Sequence, residues 1–484
     1  MKKTLVTLFA LGSLFFAGGC SKKAATDDTS SKNGTVELKI AYKDDNASNK
    51  NATKYYKKLS QILKKQGVNV SFKVVDLPSE GYADKLNLQI SGGDIPDLIY
   101  FQGGDSAFAE QGILEDLRPY IKKSKYVKNI MTDINKARIE NYPYLLWIKP
   151  ATASVPVVKE SELTQVDGYE DLVKSPTVEN YQKLLTQLIG KKDGKGNQVK
   201  FGITTSGTTQ ELDSIFDMAF GNNKTWIKNN GKYMYKRVSK NEKNKLSFYK
   251  QLFDDGILDN EFLTKKWDTK EQAFYDGASG SILGTSGKVI DLYENKVNQL
   301  SNDKLVVLPA ASGDYQGFGA TDLSKETRGM AISSQSKHKD LAFKVLDYLG
   351  SPEGQLLDRF GFEGEQYTIS GDELTLTDKA ADWYARFWEP RKIDIPYELK
   401  KPVLSKVAES SYDEVEEYYT PDNAFIMPDE LITKWDATEN LYLEFAADVI
   451  TGKKSIDKFD DFVKDWNSAG GKEVTAYANK TIKE

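Results

Sequence analysis

Hydrophobic and polar positions begin to alternate at Val36. In "GTVELKIAY", residues 34–42, Val36, Leu38 and Ile40 share one face, the pattern of a strand. "ATKYYKKLSQILKKQG" at 52–67 repeats apolar residues at helical spacing and stops at Gly67. "VNVSFKVVDL" at 68–77 predicts a second strand, "YADKLNLQISGG" a glycine-closed helix, and "PDLIYF" at 96–101 a buried third strand. Strands and helices in strict alternation imply a parallel sheet with crossover helices. Ligands of such sheets lie beyond the carboxyl ends of the strands, here Asp44 to Ala47 and Phe101 to Asp105. Asp45, Asn46, Phe101, Gln102 and Asp105 are therefore candidate contacts.

A second block follows "NYPYLLWIKPATASVPVV". Its expected strands are "FGITT" at 201–205 and "SGSILGTS" at 279–286, with helices at about 177–189, 208–220 and 240–255. "KLVVLPA" at 304–310 holds a short strand and a proline and could be a crossing back to the first block. In "TRGMAISSQSKHKDLAFKVLDYLGSPEGQ" a strand and a Ser-rich turn precede a helix, from about 339 to 349, that ends at Gly350. The tail from 373 reads as mostly helical, broken at Pro390, Pro396, Pro402, Pro421 and Pro428. There is no internal repeat and no heptad array.

The first 35 residues follow a different pattern. Lys2 and Lys3 precede an apolar run from Leu5 to Ala17, the length of an export signal and too short to span a bilayer. Ala17, Gly18 and Gly19 lead into Cys20, the only cysteine, in an arrangement that resembles a bacterial lipobox. That resemblance implies cleavage after Gly19, a lipid on Cys20 and an anchor on the outer face of the cell membrane, in the manner of a Gram-positive bacterium. Residues 20–35, rich in Ser, Lys, Thr and Asp, cannot offset the entropy of ordering and are expected to form a flexible tether. Loss of the signal takes two of the 66 basic residues, leaving 64 against 71 acidic ones. A net charge near -7 offers no basic stripe for nucleic acid. With no thiol left in the body of the chain, stability must come from a core.

"KLNLQISGGDIPDLIYFQGGDSAFAEQGILEDLRPYI" at 85–121 and "SKHKDLAFKVLDYLGSPEGQ" resemble segments of family 1 of the extracellular solute-binding proteins, which serve ABC importers. "LFDDGILDNEF", "GFEGEQYTISGDEL" and "VITGKKSIDKFDDFVKDWNSAGGKEVTAYAN" are similar to its subgroup related to the lipoprotein LplA. The matches keep their order from residue 38 to 479. The resemblance implies a two-lobed α/β fold of the type II periplasmic-binding-protein kind, with a sheet in each lobe and the ligand in a cleft closed by hinge motion. The expected division is 36–148 plus 308–350 for the N-terminal lobe and 149–307 plus 351–484 for the C-terminal lobe. Some relatives carry a calcium loop before the strand corresponding to "FGITT". Here "KKDGKGNQ" sets lysines among its oxygen ligands, so a Lys-rich hairpin turn without metal is expected, and no cofactor.

Nucleophilic catalysis lacks raw material, because the one histidine, His338, lies in a polar turn and the one thiol is lipidated. Two carboxylates suffice for a glycosidase, so an anchored carbohydrate-active enzyme stays open on composition alone. The 26 Tyr, 22 Phe and 7 Trp point instead to sugar binding, which pairs flat rings with polar side chains. "DWYARFWEPRK" at 382–392 concentrates that mixture in Trp383, Tyr384, Phe387, Trp388, Glu389 and Arg391. Trp383 and Phe387, read as i and i+4 on one helix, fit core or cleft equally, whereas Trp388 is assigned to the cleft; the resemblance adds that related receptors stack an aromatic residue there. Trp147 stands at the expected crossing, Thr205 and Ser206 end one strand, and Thr285 ends another where relatives often carry an aromatic residue. Phe318, between two glycines, is expected to be exposed, and Trp226 fits a core or a subsite wall. The reading is a monomeric, lipid-anchored receptor that delivers an oligosaccharide to an ABC permease. A receptor of the same fold for peptides or other polar metabolites is the alternative cargo.

Overall fold

Leu38 and Ile40, the alternating apolar positions of the first strand, are fully buried, and the sheet grows outward from them. The structure is a computed structural model that describes residues 34–46 and 48–483; Cys20 and nearly all of the tether lie outside the described residues. The strands are β1 (Val36–Ala41), β2 (Val70–Val74), β3 (Leu98–Phe101), β4 (Ser154–Lys159), β5 (Phe201–Ile203), β6 (Trp226–Asn229), β7 (Lys232–Tyr235), β8 (Ser279–Thr285), β9 (Leu305–Val307), β10 (Gly329–Ile332), β11 (Tyr367–Ser370), β12 (Glu373–Leu376) and β13 (Glu398–Leu399).

The first sheet has the order β10-β3-β1-β2. β1 runs parallel to β2 and β3, as the strand–helix alternation requires, with Val36 opposite Val70 and Ile40 opposite Leu98. The helix Lys50–Lys65 crosses between β1 and β2. Asn49 caps it by accepting from the Asn51 and Ala52 backbone N–H groups. Its Tyr55, Tyr56, Leu59 and Leu63 face the core, and most of its lysines face water. β10 returns from the second block and pairs antiparallel with β3, Gly329 opposite Phe101. Leu146 backbone-pairs with Met330 at an added bridge, so Gly329 lies against the Leu146 carbonyl, where a Cβ would stand 2.7 Å away.

The second sheet has the order β5-β8-β4-β9, with β5 and β8 parallel and β4 antiparallel to both its neighbours. Two cores flank this sheet. One is built around Tyr181, Phe216, Tyr249 and the C-terminal helices Asp429–Ile450 and Phe459–Trp466; the other lies around Val155, Ile282, Tyr293 and Val407.

Three expectations are corrected. "KLVVLPA" is no crossing, because β9 pairs with β4, and Leu308 to Ala311 still pack in the second lobe. The chain re-enters the first lobe only towards β10. Residues 351–399 belong with the first lobe, since Leu357, Phe362, Phe387 and Trp388 join its core and β12 with β13 extends a small satellite cluster on it. The tail is not helical from 373: β11 and β12 form a hairpin, and an irregular stretch follows to Ser405, where the helix Lys406–Glu417 begins. Trp383 and Phe387 thus share no helix face. Three connections join the lobes, near 149–153, 323–328 and 400–405, since residues 312–322 still pair and pack within the second lobe.

Trp388 is 1% exposed, its ring packs on Phe387 and Trp147, and its Nε1–H donates to the Leu346 carbonyl at 2.9 Å. It is a core residue rather than a cleft residue. Trp388→Ala should cost about 3–5 kcal/mol of folding stability, read by urea denaturation; an unchanged unfolding midpoint would return the ring to the cleft.

Candidate functional site

Asp45 follows β1 at the carboxyl end of the first sheet, yet its carboxylate is spent inside the lobe. Both oxygens accept from Arg386 Nε at 2.9 and 3.1 Å, and the Tyr56 and Tyr384 hydroxyls donate to it at 2.8 and 2.7 Å. Arg386 and Asp45 are fully enclosed, with the guanidinium over the rings of Tyr55, Trp383 and Tyr384. Asp358 completes the network by accepting from the Arg386 and Phe387 backbone N–H groups and from the Tyr55 hydroxyl, while burial pushes its own carboxyl up. Trp383 Nε1–H donates to the Asp358 carbonyl.

Other expected contacts are similarly engaged. Asp105 is buried and accepts from the Tyr142 hydroxyl and the Lys325 ammonium, at 2.8 and 2.9 Å. Phe101 is fully buried against Phe108. Asn46 Oδ1 accepts from the Ser48 backbone and hydroxyl. Thr205 is buried and donates to the Thr208 carbonyl, and the Ser206 N–H donates to Glu211. Trp226 packs among Tyr235, Phe425 and Trp435, which resolves it as core. Phe318 is buried in the core around Val155, not exposed by its glycines. Thr285 ends β8 half-buried opposite Ser154.

Polar and aromatic groups do converge where the connections meet. Trp147 leaves the first sheet on the first connection and is 3% exposed. Its carbonyl accepts from Asn135 Nδ2, and the next carbonyl, of Ile148, accepts from the Glu389 N–H at 2.8 Å, so the outgoing and late segments lie side by side. Arg328, on the second connection, places its guanidinium 5.9 Å from the Trp147 ring centroid. The Tyr100 ring lies 5.4 Å from Trp147, and Gln102 and Arg328 reach the Tyr100 hydroxyl, which burial pushes up. Arg359 donates from Nη1 to the Trp388 carbonyl at 3.3 Å and faces Glu389 and Tyr412; burial pushes its guanidinium down.

Arg391 extends from this cluster to the second-lobe helix Lys406–Glu417. There it meets Glu409, Asp413 at 2.8 Å and Glu416 at 3.5 Å, with Tyr412 beneath it. The Tyr412 ring in turn lies on Gly287, where any Cβ would collide with it. Of the predicted residues the structure therefore gathers Gln102, Trp147 and Arg391 at one place. The sequence reading named Glu389 in the mixture of "DWYARFWEPRK" but missed Tyr100, Arg328, Arg359 and Tyr412. Arg328 was findable, since it directly precedes a strand that re-enters the first sheet; Arg359, in the last turn of the helix Pro352–Phe360, and Tyr412, inside Lys406–Glu417, carry no local signal.

Cavities of 660 and 960 Å³ lie elsewhere. One is on the first lobe between the helices Lys50–Lys65 and Pro352–Phe360, the other beside the β6–β7 hairpin of the second lobe. Each is lined by a single lobe, so hinge closure would not reshape it.

Among the described residues, no group of three or more His, Cys, Asp or Glu side chains is gathered to hold a metal ion. The "KKDGKGNQ" stretch is a hairpin turn, with Lys192 bridging to Gln198 and Asp193 accepting from the Lys195 and Asn197 N–H groups. The cation nearest Asp193 is the buried Lys159 ammonium, 3.6 Å from it and 3.2 Å from Glu162. His338 precedes the helix Lys339–Leu349, half-buried.

The model of the bacterial extracellular solute-binding proteins matches residues 26–356. The chain belongs to that family. Its members bind solutes and carry out no catalysis, and the expected type II fold agrees with the solved relatives. This solute-binding protein is 22% identical to lipoprotein LipO of Bacillus subtilis, over 96% of this chain and 95% of LipO. It is 24% identical to the fructooligosaccharide ABC transporter substrate-binding protein FusA of Streptococcus pneumoniae, over 80% and 77% of the two chains. A solved HMO-binding, ABC-transporter-associated protein of Bifidobacterium longum infantis superposes with a TM-score of 0.66 at 16% identity, covering 93% of this chain and all of that one.

If the Asp45–Arg386 pair is structural, Arg386→Met should lose about 3–5 kcal/mol, because it strands a buried carboxylate. Thermal unfolding checks this, and a variant that keeps its melting temperature while losing affinity would make Asp45 a ligand contact.

Proposed function

We propose that this protein is the substrate-binding component of an ABC importer, anchored by lipid on Cys20 at the outer face of the cell membrane, and that it captures an oligosaccharide by closing its lobes. The observation that carries the reading is the cluster around Trp147. The half-buried Tyr412 ring stands with Gln102, Arg328, Arg359 and Glu389 over the rings of Trp147 and Tyr100, which are themselves buried in the first core and back the site rather than line it. Flat rings with a polar rim suit a sugar, whose C–H faces and hydroxyls call for both. A site assembled from both lobes gains contacts when they close, which is the differential affinity that closure requires. The relatives add support: FusA is named for fructooligosaccharide, and the Bifidobacterium protein is titled as HMO-binding. LipO, similar over nearly its full length, is named a lipoprotein, which supports the anchor.

Thermal unfolding against a panel of oligosaccharides and peptides tests the cargo. A true ligand at about 100 times its dissociation constant should add roughly 2.7 kcal/mol to the folded state. Stabilisation by peptides alone would replace the sugar reading. Small-angle scattering with the stabilising compound should show a smaller radius of gyration.

Cys20→Ser should move the protein from the membrane fraction to the medium. Retention on membranes after that change would refute the anchor.

A further inference from the structure

The chain has seven arginines. Arg118, Arg138, Arg237, Arg386 and Arg391 each meet a carboxylate within 4.0 Å: Asp116, Glu326, Glu439, Asp45 and Glu409 in turn. Arg328 and Arg359 form no ion pair among the described residues, and both stand in the cluster around Trp147. Arg328 is exposed on the second connection, over the Trp147 ring. Arg359 is largely enclosed; its one hydrogen bond goes to a neutral carbonyl, that of Trp388, and its Nε is buried without a partner. The Trp147 Nε1–H is likewise buried and unpartnered.

A guanidinium offers five donors in a planar fork, and burying its charge without a counter-charge is costly. This chain pairs every other arginine, including the fully buried Arg386. Glu389 and Asp358 both act on Arg359 from beyond ion-pair distance, and the Asp358 oxygens are taken up by the Tyr55 hydroxyl and the Arg386 and Phe387 N–H groups, so neither arginine has a carboxylate in direct contact. A neutral sugar would occupy the donors and leave the charge unbalanced. A carboxylate would do both, because the fork matches its two oxygens.

We propose that the ligand is an acidic oligosaccharide, one bearing a uronic or sialic acid carboxylate, and that Arg328 and Arg359 receive that carboxylate beside Trp147. The inference rests on the carbohydrate reading of the same site. It makes the two arginines the specificity-determining residues, with the half-buried Tyr412 ring beside them available to the sugar body. Affinity should also fall as salt rises, to the extent that the exposed Arg328 contributes.

Titration calorimetry of the purified protein with tetragalacturonate, a mannuronate tetramer and sialyllactose, each beside its methyl ester, tests this, with fructo- and galacto-oligosaccharides as neutral controls. The expected result is that at least one acid binds and weakens at least about tenfold on esterification, the scale of losing one charge-assisted bidentate contact. In Arg328→Gln and Arg359→Gln the ratio of acid to ester affinity should collapse towards one. Arg328 is exposed, so its variant carries the comparison if the Arg359 variant fails to fold. Equal binding of acid and ester, an unchanged ratio in Arg328→Gln, or binding of neutral sugars alone would overturn the inference and leave the carbohydrate receptor standing. Binding of no saccharide of either kind would remove both.

Discussion

The ion pair between Asp45 and Arg386 fixes where the late chain runs, and the candidate site follows from that. Arg386 belongs to a segment that sequence order would give to the second lobe, and β1 anchors its carboxylate at the edge of the first sheet. A charge enclosed this fully must be paired and hydrogen-bonded. Here the Tyr56 and Tyr384 hydroxyls and the Tyr384 carbonyl meet most of that demand, Asp358 takes up the Arg386 and Phe387 backbone N–H groups, and Arg386 Nη2 alone stays buried without a partner. Removing any one of them exposes the others to the cost of an unsatisfied buried polar atom.

This lock sets Trp388 into the first core, and the next residue, Glu389, against Ile148. From there Arg391 reaches the second-lobe helix Lys406–Glu417 through partly exposed ion pairs. The rings around Trp147 are therefore held by rigid elements, while the groups that cross between lobes are long side chains on surface ion pairs. Such pairs are individually weak and screened by salt, so they resist a hinge motion far less than the cores do.

Much of the architecture was legible. The strand–helix alternation from Val36 to Phe101 foretold the parallel sheet, and the helix ends at Gly350 as expected, although that glycine stays right-handed at φ -81° because Ser351 at once caps the next helix. Strand ends were less informative, because the rule that ligands lie beyond them says nothing about which polar residue is already occupied. Asp45 and Asp105 obey the position rule and are consumed by Arg386, Tyr142 and Lys325, partners 37 to 341 residues distant. The aromatic density of "DWYARFWEPRK" likewise signalled burial as much as recognition, and composition cannot separate the two. Proline breaks at 390 and 396 ended the predicted helices correctly in principle, yet the segment before them had none to end. What separated site from core was partner-counting across the fold.

That counting carries a consequence for closure. With the lobes apart, the exposed guanidinium of Arg328 is hydrated and inexpensive. Closure that brought the second lobe over it would remove that water, and without a ligand would incur the penalty of a desolvated, uncompensated cation. A bound carboxylate reverses the sign, since the charge-assisted contact strengthens as water leaves. The same two residues would thus set both which ligand binds and whether the empty receptor shuts, and an importer benefits from that linkage because a closed, empty receptor competes for the permease with a loaded one. Closure can be driven only by as much as the ligand prefers the closed state, and unpaired cations at the lobe junction supply such a preference without any moving part beyond the hinge.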